Sequence, residues 1–471
     1  MTELSAIAAA VRAGRITAAD LVRESLRRID ELDPAINSVV ARRDDLAIAE
    51  ANAMDARIAR GEDPGPLSGM PLLVKDLEDV AGMVTTAGSV SLANSSAAVR
   101  DSRTPELLRA AGAIVVGKTN LPEFASEGWT SNLLFGTTGN PWSLGWTPGG
   151  SSGGSAAALA AGLAPLATGT DGGGSVRIPA AFCGLLGLKA SRGVFGRRPI
   201  PDWMDFSADG PFATNAADLR LLFNLMVGRA VGDPESHGLV LNSPAKASHL
   251  LLVERTADYG PLPAMVAEAF ALAVAKFATL VGCDPRPLSP LQVIPEGNPD
   301  ADWFLITSAE HVGALGREWV QAHRGEFHPV TAEFFDYGLK FGLDEYLAAR
   351  RRRFYYAERL DELIGGTGLM LSPTNVVEGF PADGRLDDTG RVGLRGPEDY
   401  NTGIQNMTGH PAISLPAGVL ANGVPFGLQV TAARGQDTWL IDLAAAWEAA
   451  HPWPLVAPGY SQFAAAFDAL S

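Results

Sequence analysis

The sequence predicts an α/β fold: a single large domain, residues 1–471, with a central mixed β-sheet covered by helices on both faces. Two observations carry this. Helix-like and strand-like segments alternate along the chain, the pattern of a layered sheet flanked by helices. At 471 residues, 46% hydrophobic and 19% charged, the chain also has the apolar content for one large core. No internal repeat of about 20–50 residues points instead to a solenoid or propeller.

The elements follow in order. Residues 1–60 read as a helical cover. Thr17 is a helix N-cap, Asp20 completes a variant capping box, and Ile16 with Leu21 fits the hydrophobic staple around it. Leu21, Leu26 and Ile29 continue a helical stripe, and Ala47 to Ile58 forms a second, alanine-rich helix. Pro71 to Lys75 reads as a short buried strand. Thr104-Pro105-Glu106 starts a helix with a cap, a proline at its first position and an acid in its first turn. That helix ends at Ala111-Gly112, before the strand Ala113 to Gly117. Ser155 to Ala161 then reads as helix and Pro165 to Thr170 as strand. Later come the helix Ala264 to Leu280 and the strands Gly368 to Leu371, Ala412 to Leu415 and Phe426 to Thr431. The helix Asp437 to Ala450 closes the series. Pro, Gly and Asp cluster at 283–300 and 379–397, and these read as surface loops because the strand pattern resumes beyond them.

Charge and cysteine content narrow the function. With 37 basic and 53 acidic residues the formal charge is −16, and an acidic surface repels phosphate backbones, so no direct nucleic-acid partner is expected. Cys183 and Cys283 are too few for a disulfide framework. The N-terminal stretch lacks the basic region and apolar run of a secretory signal. No uncharged apolar stretch reaches the roughly 18–20 residues a membrane span requires. The longest candidate, Ala156 to Thr170, is broken by Gly162 and Pro165. The expectation is a cytoplasmic protein with no membrane partner.

The chemistry concentrates between Pro148 and Arg177, where Ser151 and Ser175 are both embedded in glycine. Glycine around a serine lets the backbone approach a ligand and frees successive N–H groups to point at one spot. A nucleophile beside an oxyanion site needs that arrangement, and a core does not. A serine hydroxyl also needs a proton acceptor. The seven histidines all lie outside this block, none carries a triad signature, and there is no G-x-S-x-G elbow. Lysine is the alternative base. Lys75 ends an apolar run, where desolvation lowers the amine pKa and lets a neutral lysine take a proton. Neighbouring Asp76 would oppose this, but on a strand it points to the other face.

Other residues take plainer readings. Ser152 and Ser155 read as cap and turn residues, Asp171 and Arg177 as a bracing ion pair, Cys183 as a small core residue and His410 as structural. Arg350 to Arg353 reads as a solvated helix face. His323 and His328 lack an H-E-x-x-H context, and the glycine block has neither a phosphate-loop ending nor dinucleotide-site spacing. No metal and no cofactor are expected.

Lys75, Pro148 to Ser155, Gly169 to Pro179, Ala180 to Gly184, Gly117 to Asn120 and His410 to Pro416 together resemble the amidase signature family. The resemblance covers most of residues 1–230 and 365–450. It implies the amidase signature fold and a Ser–cisSer–Lys triad, with Ser175 as nucleophile, Ser151 as bridging serine after a cis peptide, and Lys75 as base. The backbone N–H groups of Gly172, Gly173, Gly174 and Ser175 would hold the oxyanion. The stretch Glu123 to Ser131 would line the acyl site, making Phe124, Ser126, Trp129, Thr130 and Ser131 pocket candidates. One departure is Lys189-Ala190-Ser191, where the family commonly has proline after the lysine. The regions implied are a catalytic core at about 65–230, a variable substrate-pocket region at about 285–365 and a C-terminal core at about 366–471. Resemblance fades over 300–360, whose aromatics (Trp303, Phe304, Phe334, Phe335 and Tyr356 among them) read mostly as helix core, a subset walling an apolar pocket.

The implied activity is hydrolysis of a carboxamide C–N bond in small amides, anilides or related carbamates and esters. The alternative within the family is the glutaminase subunit of a tRNA-dependent amidotransferase, which adds a partner chain. A non-catalytic binding protein on the same fold is disfavoured by the intact Lys75, Ser151 and Ser175. Association into a homo-oligomer stays open.

Overall fold

Two short helices lie at the centre of the computed structural model, which describes residues 3–385 and 399–467. Gly153–Ala160 and Arg177–Cys183 are buried along their whole lengths. The first is almost all alanine and glycine, has no polar face to present to water, and so sits inside. It packs on the second helix and on strands Pro71–Lys75 and Ile114–Thr119, while the second packs on Ala412–Val419 and Pro425–Thr431. The pair thereby joins two hydrogen-bonded ladders.

The four-stranded ladder runs Val39–Arg42, Ile114–Thr119, Pro71–Lys75, Leu166–Ala167. Pro71–Lys75 is parallel to both neighbours and fully buried, which explains its unbroken apolar run. The seven-stranded ladder runs Phe212–Ala213, Leu186–Lys189, Ala412–Val419, Pro425–Thr431, Leu369–Pro373, Leu250–Leu252, Pro285–Pro287. It is mixed: antiparallel as far as Leu369–Pro373 and parallel beyond. The protein is thus an α/β domain with a mixed sheet and many helices.

Several local expectations hold at atomic detail. The Thr17 hydroxyl accepts from the Asp20 amide at 3.0 Å, and the Asp20 carboxylate accepts from the Thr17 amide at 3.2 Å. Ile16 and Leu21 are buried in one cluster, as a staple requires. The helix Asp437–Ala450 and the strand Pro71–Lys75 have the expected bounds.

Others are corrected. The helix expected from Thr104 begins at Arg103 after Ser102, and Thr104 instead donates its hydroxyl to Asp209. Ser152 occupies an N-cap position but hydrogen-bonds the Thr170 backbone, and Ser155 bonds the Thr119 hydroxyl, because both are enclosed and their nearest partners are tertiary. Val39–Arg42, read as part of a helical cover, is an edge strand. Pro165 to Thr170 splits into Leu166–Ala167 and Thr170–Asp171, the latter pairing with Ala208–Asp209. The 283–300 region carries the edge strand Pro285–Pro287 and the helix Pro290–Val293, while most of 379–397 lies outside the described residues. Arg350 to Arg353 is a solvated face only in part: Arg351 and Arg352 are exposed, but Arg352 engages Asp302, and Arg350 with the buried Arg353 engages Asp205.

By length and composition the helix Ala264–Val281 is apolar enough to cross a membrane, with a mean hydropathy of 1.8. In this fold its Val266, Phe270, Ala273, Val274 and Phe277 join the core around the seven-stranded ladder.

Candidate active site

Lys75 is the last residue of its strand, and the parallel pairing on both sides drives its side chain into the interior, fully buried. Its Nζ lies 2.7 Å from Ser151 Oγ and 2.8 Å from Thr170 Oγ1. Burial pushes the amine from its ordinary 10.5 down to about 7, against the opposing negative fields of Glu78, Asp171 and Asp209. Asp76 points away, as strand alternation requires, and its carboxylate pairs with Lys118 at 2.8 Å and accepts from the Thr86 hydroxyl.

Ser151 follows a cis peptide from Gly150 and precedes the buried helix Gly153–Ala160. Ser175 sits in the turn between the strand Thr170–Asp171 and the helix Arg177–Cys183. At its glycines that turn has no room for a side chain. Gly174 has φ +127°, and a Cβ there would collide with Thr402; a Cβ on Gly172 would collide with the Trp203 ring. The turn's carbonyls are tied down on one side: Trp303 Nε1 donates to Gly172 O at 3.0 Å, and the Thr402 hydroxyl donates to Gly173 O at 2.6 Å.

Asp171 and Arg177 brace the same turn. The guanidinium donates to both carboxylate oxygens, at 2.9 and 2.8 Å, and reaches on to Gln405, Asn406 and Gln429. Burial works against the Asp171 carboxylate, but the charge and hydrogen bonds of Arg177 outweigh it and hold the pKa at about 2. Asp171 Oδ1 also accepts from the Gly174 amide at 2.8 Å. This corrects the expected four-donor cradle. Gly174 N–H is committed to Asp171, and among the described residues only the amides of Gly172, Gly173 and Ser175 in this turn have no acceptor.

Ser175 is the meeting point of two clefts. One is lined by Ser151, Thr170 and Gly172 together with Glu78, Phe124 and Asp209. The other is lined by Gly173, Ser126, Ile178, Trp303, Phe304 and Tyr400. Trp203 walls both and meets Trp303 edge to face, ring centroids 5.5 Å apart.

The amidase family profile matches residues 20–276. The acylamidase of Rhodococcus erythropolis is 32% identical over 95% of this chain and 95% of its own length. A glutamyl-tRNA(Gln) amidotransferase subunit of Aromatoleum aromaticum is 32% identical over 97% of this chain and 98% of its own length. Among solved structures, a bacterial aryl acylamidase of the amidase signature family superimposes with a TM-score of 0.85 at 27% identity, covering 95% of this chain and 96% of that one. The chain belongs to the amidase signature family. It is a hydrolase of carbon–nitrogen bonds other than peptide bonds.

Within this amidase signature fold the pocket candidates separate. Phe124 and Ser126 line the clefts, one each. Trp129, Thr130 and Ser131 line neither, because the chain turns inward after Gly128. The Trp129 indole is buried on Glu127 at 3.1 Å, the Thr130 hydroxyl donates to Gly149 O at 2.8 Å, and Ser131 pairs with Thr137 in a small hairpin. Residues missed by sequence reading include Thr170, Glu78, Trp203 and Thr402. Thr170 lies inside the Gly169-Thr-Asp motif, but the motif does not signal its contact with Lys75. Trp203 and Thr402 come from distant segments and carry no local signal.

Proposed function

We propose that this protein hydrolyses small carboxamides and anilides through an acyl-enzyme on Ser175. Neutral Lys75 takes the Ser151 proton as Ser151 takes that of Ser175, and Ser175 Oγ bonds to the carbonyl carbon. The developing oxyanion is held by the amides of Gly172, Gly173 and Ser175, where losing one such donor costs about 3 kcal/mol of transition-state stabilisation. Ser151 returns a proton to the departing nitrogen as the C–N bond breaks, and is reprotonated by Lys75. Water then repeats the sequence on the acyl ester and releases the acid. The observation that carries this reading is the 2.7 Å contact of Lys75 Nζ with Ser151 Oγ, with burial holding the amine at about 7. The aromatic walls of both clefts and the likeness to acylamidases support small acyl or aryl substrates, and related carbamates and esters fit the same chemistry. A cytoplasmic setting accords with the free Cys183 and Cys283.

A second reading, the glutaminase subunit of an amidotransferase, is favoured by the likeness to the Aromatoleum aromaticum protein. One experiment addresses both. Purified protein is assayed on an acetanilide, a simple carboxamide and glutamine, with Ser175→Ala as control, and a fluorophosphonate adduct is mapped by mass spectrometry. Anilide or amide turnover with the adduct on Ser175 is expected. Turnover of glutamine alone favours the second reading, and an adduct elsewhere removes the first.

A further inference from the structure

Glu78 is a buried carboxyl that the hydrolytic cycle leaves unused. It lies three residues beyond Lys75, its amide donating to the Lys75 carbonyl at 2.9 Å, and it lines the cleft that holds Ser151 and Ser175. The residue is 5% exposed. Its Oε2 accepts from the Thr168 hydroxyl, whose oxygen accepts from the Lys75 amide at 3.0 Å. Its Oε1 is buried with no hydrogen-bond partner among the described residues. Such an acceptor is costly unless a ligand supplies the missing donor. Asp209 lies on the same wall, while the wall's two arginines are engaged elsewhere, Arg197 by Asp233 at 3.0 Å and Arg198 by Glu106 at 2.8 Å.

We propose that Glu78, backed by Asp209, selects the amine half of the substrate, favouring amides whose departing nitrogen carries a short chain ending in a second, cationic nitrogen. Ser151 sets the side. It lines the Glu78 cleft and not the one walled by Trp303, Phe304 and Tyr400, and it is the group that returns a proton to the departing nitrogen. The acyl half then faces Trp303, Phe304 and Tyr400. Burial, followed by the negative field of Asp209, raises the Glu78 carboxyl to about 8, so it holds its proton near neutral pH and releases it to solvent when a bound cation stabilises the carboxylate. The inference rests on the acyl-enzyme reading for the role of Ser151.

The test compares three benzamide-type substrates: N-(4-aminobutyl)benzamide, its neutral isostere N-pentylbenzamide, and an anilide with the cation on the acyl half. The first is expected to exceed the second in kcat/KM by about 10- to 100-fold, with Glu78→Gln narrowing the ratio to about twofold and no gain from the acyl-side cation. Equal rates in the wild type, a ratio unchanged in Glu78→Gln, or a gain that follows the acyl-side cation overturns the proposal. If no amide is turned over, or Glu78→Gln fails to fold, calorimetric binding of butylammonium against 1-butanol to the Ser175→Ala protein decides. Preference for the ammonium upholds the site even where the acyl-enzyme reading has failed, and equal or absent binding sinks it.

Discussion

In the proposed cycle Lys75 becomes a base through burial alone. The amine is enclosed by parallel strands, and no cation is needed to depress its pKa, because desolvation outweighs three nearby carboxyls. The sign follows directly. Protonated Lys75 cannot accept from Ser151, so kcat/KM rises with pH and levels off above about 7, measured on a neutral amide whose own ionisation does not intrude. A profile that falls through this range counts against the mechanism. Lys75→Ala should lower kcat by about 10²- to 10⁴-fold, and Ser175→Ala should abolish turnover while circular dichroism stays unchanged. The residue type and its apolar approach were readable in sequence. The second hydroxyl at the amine, that of Thr170, belongs to the glycine-rich motif, yet nothing in the motif announces its contact with Nζ.

The elements hold that geometry through caps and tight turns. At the helix Ala18–Ile36, the reciprocal Thr17–Asp20 box lines neither cleft, so Thr17→Ala should cost about 1 kcal/mol in urea unfolding and leave kcat alone. The glycine turn behaves oppositely. Gly174 combines φ +127° with contact against Thr402, so Gly174→Ala should displace the Ser175 amide and depress kcat well before it lowers the melting temperature. Element-level reading succeeded where a local signal suffices: the capping box, the buried PLLVK strand, the terminal helix. It failed where a tertiary partner overrode local chemistry, as with Ser152, whose hydroxyl serves Thr170 rather than its own helix.

Across the whole molecule, Arg177 is the tie between halves. From the helix after Ser175 it binds Asp171 and reaches Gln405, Asn406 and Gln429 on the C-terminal segments, all without exposure to water. Arg177→Met leaves the Asp171 carboxylate buried and unpaired, and chemical denaturation should show a loss of about 3–5 kcal/mol, with activity lost alongside. The arginine and its aspartate were visible in the motif as an ion pair, whereas the amides that complete their shell were not. By itself the sequence determined the α/β alternation, the glycine-framed serines and a lysine at the end of an apolar strand, because these are local consequences of side-chain size, polarity and backbone freedom. Only the tertiary structure decided that Gly174 gives its amide to Asp171, that Trp129 to Ser131 turn away from the clefts, and that Trp203, Trp303 and Thr402 close over the turn. Most of those outcomes depend on which distant segments meet; the Asp171–Gly174 bond spans only three residues, but the turn that makes it is held in shape by Arg177, Thr402 and Trp303 from around it.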